Sequence, residues 1–74
     1  MFRLRSLHWK QLEKAILHFG CEFIGQESDH RKYWRKGFTR PIILPTYKDV
    51  PKFIISQIIR QLGVTKDDFY RHID

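Results

Sequence analysis

The first regular pattern in the chain is an apolar stripe whose members recur at spacings of three and four residues. Its members are Trp9, Leu12, Ile16 and Phe19. Charged residues fall between them, as on an α-helix with one buried face. Ser6 is a typical N-cap, and Gly20 is placed to end the helix in a left-handed conformation. The pattern therefore predicts a first helix between Ser6 and Gly20.

Three short β-strands are predicted in the middle of the chain, over residues 21–26, 30–36 and 41–45. The polar residues 26–29 give a connection between the first two strands that is short enough for a hairpin. The third strand begins and ends with proline. Because proline cannot donate a hydrogen bond within a sheet, this strand is expected at an edge or with its prolines at its ends.

A second apolar stripe predicts another amphipathic helix. It consists of Ile54, Ile55, Ile58, Ile59 and Leu62. Pro51 suits the first turn of this helix. Gly63 is expected to end it, with Val64 packing back on Ile59 in a Schellman motif. Residues 65–68 then resemble a capping box, which predicts a short last helix through Phe69, Tyr70 and Ile73.

The order of these elements predicts an α+β fold in one domain, residues 1–74. Each main helix has one apolar face, so both are expected on the same face of a three-stranded antiparallel sheet, followed by the short C-terminal helix. The other face of the sheet should be open, with room for a ligand. A chain of 74 residues must build a compact core, since small domains bury a smaller fraction of their surface.

The charge favours a polyanionic partner. The formal net charge is +6 and the isoelectric point is about 9.8, which favours association with phosphate-rich molecules. The alternative is that the charge only maintains solubility. No signal peptide pattern opens the chain, and the apolar cluster at residues 53–59 is too short to span a bilayer. These features predict a cytoplasmic protein without a membrane anchor.

Cys21 is the only cysteine, so an intrachain disulfide and a cysteine-rich zinc module are excluded, as suits a reducing cytoplasm. At the junction of the first helix and first strand, this residue is interpreted as a small buried hydrophobe; the alternative is a catalytic thiol. His8, His18 and His72 show no spacing suited to metal binding, and there is no tight carboxylate cluster. Neither a metal nor a cofactor is expected.

The segment 29–36 carries the strongest functional signal. His30 leads a run in which four basic residues surround two aromatic ones; the run is Arg31, Lys32, Tyr33, Trp34, Arg35 and Lys36. Basic side chains attract phosphates, aromatic rings stack on bases, and imidazole titrates near neutral pH. The segment therefore predicts a surface that binds RNA and could also cleave it.

His30 is the candidate catalytic residue. RNA is cleaved without metal when a base removes the 2′-hydroxyl proton and an acid protonates the leaving 5′-oxygen, and a positioned histidine can play either part. Nearby cations would stabilise the negative charge of the transition state; the candidates are Arg31, Lys32, Arg35 and Lys36. The alternative interpretation is a surface histidine that begins a strand by chance.

Strand alternation divides the segment into two sets of side chains. One set is His30, Lys32, Trp34 and Lys36; the other is Arg31, Tyr33 and Arg35. We expect Tyr33 to point toward the helices, so that Trp34 on the open face could stack a base for about 1–3 kcal/mol. The opposite assignment, with Trp34 in the core, stays open. Asp29 could orient the imidazole of His30 or stabilise the turn through local backbone bonds.

Several stretches in this order are similar to those of one bacterial family. They are the helix end Phe19-Gly20, the strand 21–26, the segment 28–34, the strand end Ile43-Leu44-Pro45 and the helix end 58–65. Segment 28–34 resembles the short glycine-serine/aspartate-histidine motif that precedes a strand in HicA-type toxins, also called the YcfA-like family. The likeness covers nearly the whole chain.

The resemblance implies the α-β-β-β-α fold of double-stranded-RNA-binding domains (dsRBD-like) and ribosome-independent cleavage of mRNA by the toxin of a type II toxin–antitoxin system. It places the catalytic histidine at His30 and implies a HicB-type antitoxin that covers it, with a monomeric free toxin. The chain departs from the family at Ser28, where glycine is common, and at Phe53-Ile54, where many members carry Gly-Thr. Two alternatives are a non-catalytic RNA-binding module and a domain that binds only an acidic protein.

Overall fold

The structure is a computed structural model that describes residues 6–73. Its elements are α1 (Trp9–His18), β1 (Glu22–Glu27), β2 (His30–Trp34), β3 (Ile42–Pro45), α2 (Lys52–Leu62) and α3 (Lys66–Tyr70). The strands form one antiparallel sheet in the order β1-β2-β3. The predicted α+β order of helix, three strands and helices is therefore confirmed. The expectation that no signal peptide opens the chain concerns residues 1–5, which lie outside the described residues.

One face of the sheet carries the core. Tyr33 and its cross-strand neighbour Ile42 are buried, and so is Leu44, which pairs with Arg31. They belong to one cluster with buried residues of α1 and α2, so both helices lie on the same face, as predicted. On the other face, side chains such as Ile43 are exposed. The open face that the sequence predicts is present.

The start of α1 differs from the prediction. Ser6 is not the N-cap; His8 is, because its Nδ1 accepts a hydrogen bond from the Lys10 amide at 3.1 Å and the Gln11 side chain accepts one from the His8 amide at 3.2 Å. The reason lies outside the helix. Leu7 forms an isolated antiparallel bridge with Val50, whose amide donates to the Leu7 carbonyl at 2.8 Å, which holds the chain extended until His8.

The ends of the two main helices follow the prediction. Gly20 and Gly63 have φ values of 90° and 75°, the left-handed conformation that favours glycine. After α2, the Gly63 amide donates to the Arg60 carbonyl and the Val64 amide to the Ile59 carbonyl, so the Schellman motif is confirmed. Pro51 precedes α2 as its N-cap, one position earlier than predicted. For α3, the Thr65 hydroxyl accepts a hydrogen bond from the Asp68 amide at 3.1 Å, but the helix ends at Tyr70, short of the predicted Ile73.

The strand boundaries differ from the prediction by one or two residues. β2 ends at Trp34, two residues early, because the Phe38 amide donates to the Arg35 carbonyl at 3.0 Å and turns the chain away from the sheet. β1 contains a bulge between Phe23 and Gly25, which sequence alternation did not predict. The bulge leaves one extra residue on an edge strand, and Ile24 is accordingly 52% exposed.

Cys21 is 5% exposed and belongs to the core cluster, which confirms its interpretation as a small buried hydrophobe. Burial raises the pKa of its thiol, and the positive charge of Arg35 opposes that shift without cancelling it. A raised pKa is the opposite of what an activated cysteine nucleophile requires. Separately, no helix in the described part of the chain is long and apolar enough to cross a membrane.

Candidate functional site

The two faces of β2 differ in burial, as expected if Tyr33 points toward the helices and its neighbours point outward. Tyr33 is fully buried, whereas Trp34 is 39% exposed. The alternative assignment, with Trp34 in the core, is therefore wrong. His30 and Lys32 alternate with Tyr33 and share the outward face with Trp34. We call His30, Lys32 and Trp34, which lie on this open side of the central strand, the outward face of β2.

His30 lies at the beginning of the central strand, next to the β1–β2 turn. It pairs with Glu27 on β1 and with Pro45 on β3. Its Nδ1 lies 2.9 Å from a carboxylate oxygen of Asp29, and its side chain is 45% exposed. When Nδ1–H donates to that carboxylate, the neutral ring carries its lone pair on Nε2. An accessible imidazole in this tautomer can accept a proton from a bound hydroxyl group.

Of the two roles considered for Asp29, the structure shows the contact with the imidazole. The bonds that hold the turn are not the local ones considered from the sequence, because they reach Thr46, 17 residues along the chain. The Asp29 carboxylate contacts the imidazole. Its backbone carbonyl accepts hydrogen bonds from the amide and the hydroxyl of Thr46, at 2.8 and 3.0 Å. These bonds join the β1–β2 turn to the end of β3. The turn is therefore fixed at the position that aims the Asp29 carboxylate at His30.

Ser28 adopts the backbone conformation that glycine favours. Its φ is 57°, the one positive φ of a non-glycine residue in the described range 6–73. Only the first of the two turn residues therefore has a positive φ, and glycine is favoured at such a position because it has no Cβ. The departure from glycine at this position therefore leaves the hairpin formed, and the Glu27–His30 pair closes it.

The other predicted RNA-binding residues of the outward face are accessible. Lys32 follows His30 on the same face, with its ammonium group 3.3 Å from a carboxylate oxygen of Glu27. The Trp34 indole donates to the Phe38 carbonyl at 3.3 Å, which fixes the ring edge and leaves part of its surface in solvent. Lys36 is exposed but lies beyond the end of β2. Lys32 and Trp34 thus give the face of His30 one cation and one stacking surface, and Lys36 adds a second cation beyond the end of the strand.

Arg31 lies on the helix side of the sheet and away from His30. Its guanidinium donates two hydrogen bonds to Glu13 on α1, at 2.9 and 3.2 Å, and one to the Tyr33 hydroxyl at 2.9 Å. It also lies 4.0 Å from the centre of the Phe23 ring. The Tyr33 hydroxyl donates in turn to Glu13. Burial, followed by the hydrogen bond to Glu13, raises the pKa of Tyr33. Arg31 thus joins the sheet to α1.

Arg35 has a role that sequence reasoning missed. Its guanidinium donates to the Phe19 carbonyl at 2.8 Å and to the Leu62 carbonyl at 3.1 Å. Phe19 is the C-cap of α1 and Leu62 is the last residue of α2, so one cation binds the carboxyl ends of both main helices. The signal was available, because the alternation that turns Tyr33 inward also turns Arg35 inward.

The described residues contain no group of three or more histidine, cysteine or acidic side chains placed to hold a metal ion. The side chains that the site offers are one imidazole with a carboxylate partner, a lysine and an exposed indole on the same face, and a second lysine beyond the end of the strand. This arrangement can transfer a proton and bind a phosphate-containing chain.

The comparison with protein families gives a match that includes this whole site. The family model described as "HicA toxin of bacterial toxin-antitoxin" matches residues 9–64, from the first residue of α1 to the residue after Gly63. Comparisons with curated proteins and with solved structures gave no match.

Proposed function

Because the chain belongs to the HicA toxin family of bacterial toxin–antitoxin systems, we propose that it is an mRNA interferase, an endoribonuclease that inhibits translation by cleaving mRNA. The observation that carries the proposal is the exposed imidazole of His30, 2.9 Å from the Asp29 carboxylate, on the same face as Lys32 and Trp34. The proposed site of action is the cytoplasm, where its substrate is found, and the proposed enzyme is a monomer that needs no metal.

His30 takes part in the proposed reaction as a general acid or base. Nε2 removes the proton of a ribose 2′-hydroxyl, the 2′-oxygen attacks the adjacent phosphorus, and the bond from phosphorus to the 5′-oxygen breaks. The leaving oxygen takes up a proton, so the products are a 2′,3′-cyclic phosphate and a free 5′-hydroxyl. Such a proton transfer contributes about 10²- to 10⁴-fold to the rate. Asp29 is a positioning residue, since it acts through the imidazole.

Binding of the RNA is assigned to the outward face of β2 and to Lys36, which lies beyond the end of that strand. Lys32 and Lys36 would neutralise phosphates, and Trp34 would stack a base. Arg31 and Arg35 were also predicted to bind RNA, but their guanidinium groups are bonded to Glu13 and to the helix ends. We therefore assign these two arginines to the stability of the fold. A HicB-type antitoxin that covers His30 is the proposed partner.

The test is cleavage of a labelled single-stranded RNA by purified protein in the presence of EDTA. Wild type should cut the RNA, and His30→Ala should be at least 100-fold slower with an unchanged melting temperature. His18→Gln is the matched control, because it removes a histidine on α1 outside the site, and it should cut at the wild-type rate. If His30→Ala cuts as fast as wild type, the proposed role of His30 is wrong.

A second candidate is a non-catalytic RNA-binding module that uses the same face. The observation that favours it is Phe53, which stands where many family members carry glycine and is 64% exposed at the start of α2. The same assay separates the two candidates. Intact RNA after long incubation, together with measurable binding, would favour the module over the enzyme.

A further inference from the structure

β3 and α2 form a groove that has no part in the proposed catalytic site. Its volume is about 760 Å³, within the usual range of ligand-binding clefts. On one side it is lined by the segment 37–43. On the other side it is lined by Ile54, Ile58 and Gln61, whose spacing places them on one face of the helix. His30 is not among the lining residues.

The groove has both polar and aliphatic surface, and its aliphatic part comes from four isoleucines. Ile42 and Ile58 are nearly fully buried beneath it. Ile54, which is partly buried against the core, remains accessible on the α2 side. Ile43, which is 41% exposed, borders the groove with its side chain on the open face of the sheet. Apolar side chains on the two faces of an added strand would bury both isoleucines further.

The groove reaches an unpaired edge of the sheet at Ile42 and Ile43. β3 pairs with β2 on one side only and is an edge strand in the described part of the chain. An edge strand presents backbone N–H and C=O groups to a further strand. A strand added to β3 would lie about 4.8 Å away, where α2 forms the adjacent wall. The prolines at positions 41 and 45 limit this pairing to the short segment 42–44.

The charge of the groove is positive. Arg40 and Arg60 are exposed lining residues, and none of the lining residues is acidic. The Gln61 side chain donates to the Arg40 carbonyl at 2.8 Å, which fixes the loop that carries Arg40 against α2. The two arginines therefore place positive charge at the border of the groove.

We propose that this groove binds an extended acidic segment of a partner protein, which adds a fourth strand to the edge of β3. Backbone hydrogen bonds would hold the segment, apolar side chains would contact Ile43 and Ile54, and carboxylates would pair with Arg40 and Arg60. RNA fits less well, because the described residues that line the groove offer no open ring on which a base could stack. Phe38, the aromatic side chain in the lining, is half-buried beneath the Arg35 guanidinium. The proposal goes beyond ribonuclease activity and does not depend on it.

The probe is a fluorescein-labelled hexapeptide of alternating glutamate and valine, compared with a lysine–valine hexapeptide and a 12-nucleotide single-stranded RNA. The glutamate peptide should bind saturably and shift the NMR signals of the amides in residues 42–44 and 54–61. Arg40→Glu combined with Arg60→Glu should weaken its binding at least tenfold. The control is Lys10→Glu combined with Lys14→Glu on α1, which makes the same change in net charge away from the groove and should weaken binding less than twofold.

Three results would overturn the proposal. The first is no saturable binding of the glutamate peptide up to 1 mM. The second is equal weakening by the two double variants, which would indicate a general effect of charge. The third is a set of groove signals that shift with the RNA and not with the glutamate peptide. None of these results bears on RNA cleavage, which is measured separately with His30 variants.

Discussion

Replacement of Arg35 by alanine should destabilise the protein strongly, although the residue belongs to the basic segment predicted to bind RNA. The substitution removes two charge-assisted hydrogen bonds, at 2.8 and 3.1 Å, and leaves the terminal carbonyls of α1 and α2 without this donor. It also removes a cation from two helix C-termini, where positive charge is favourable, and from the Phe38 ring.

The magnitude follows from these contacts. Hydrogen bonds to charged groups contribute about 1.5–3 kcal/mol each, and a cation at a helix end contributes about 0.3–1 kcal/mol. Because the side chain is only partly buried, water replaces some of these interactions in the variant. We therefore expect the free energy of unfolding to fall by about 2–4 kcal/mol. A domain of this size has a free energy of unfolding of about 4–11 kcal/mol. The melting temperature should therefore fall by roughly 10–25 °C.

Urea unfolding followed by circular dichroism measures this loss directly. Lys36→Ala is the matched control, because Lys36 is an exposed cation next to Arg35, and its effect should stay within about 0.5 kcal/mol. Arg35→Lys should recover only part of the loss, since one ammonium group cannot reproduce the planar fork that reaches two carbonyls. If Arg35→Ala keeps the wild-type stability and loses RNA binding, the structural role of Arg35 is refuted.

Three further predictions concern the turn, the core and the outward face. Ser28→Gly should stabilise the protein by about 0.5–1 kcal/mol in urea unfolding, because glycine has no steric penalty at positive φ; a loss of stability would contradict the turn geometry. Stability should fall as pH rises above about 10, because the pKa of Tyr33 is raised in the folded state and the folded protein holds that proton more tightly. Tyr33→Phe should reduce the dependence of the urea midpoint on pH more than Tyr47→Phe does, and equal slopes would exclude Tyr33 as the source. In salt titrations of RNA binding, Lys32→Ala and Lys36→Ala should each reduce the log–log slope by about 0.7, and unchanged slopes would remove them from the interface.

Local signals in the sequence were sufficient for the ends of the two main helices and for the start of the last one. Gly20, Gly63 and Thr65 act through bonds within their own turns, so short segments determine them. Ser6 is not the N-cap because the next residue, Leu7, is held in an extended bridge with Val50, more than forty residues away. Long-range pairing of this kind leaves no local pattern, so the sequence favoured a cap that the folded chain does not use.

The candidate site was predicted only in part, because some of its features depend on local geometry and others on long-range packing. Strand alternation correctly separated Trp34 from Tyr33, because period-two geometry is local. The partners of Arg31 and Arg35 come from α1 and α2, and their positions depend on how the helices pack. The sequence shows that these arginines are present, but it does not show that their guanidinium groups are bonded to other parts of the protein. The exposed cations near His30 are consequently fewer than the basic segment suggested.

The most direct test of the proposed mechanism is the single-turnover cleavage rate of His30→Ala and wild type between pH 5 and 8, in EDTA and with saturating protein. The proposed mechanism predicts a wild-type rate that changes with pH, because only one protonation state of the imidazole can remove the proton. For His30→Ala it predicts a rate at least 100-fold lower, without that dependence. Equal rates and equal pH profiles for the two proteins would show that the imidazole on the outward face does not move the protons of the reaction.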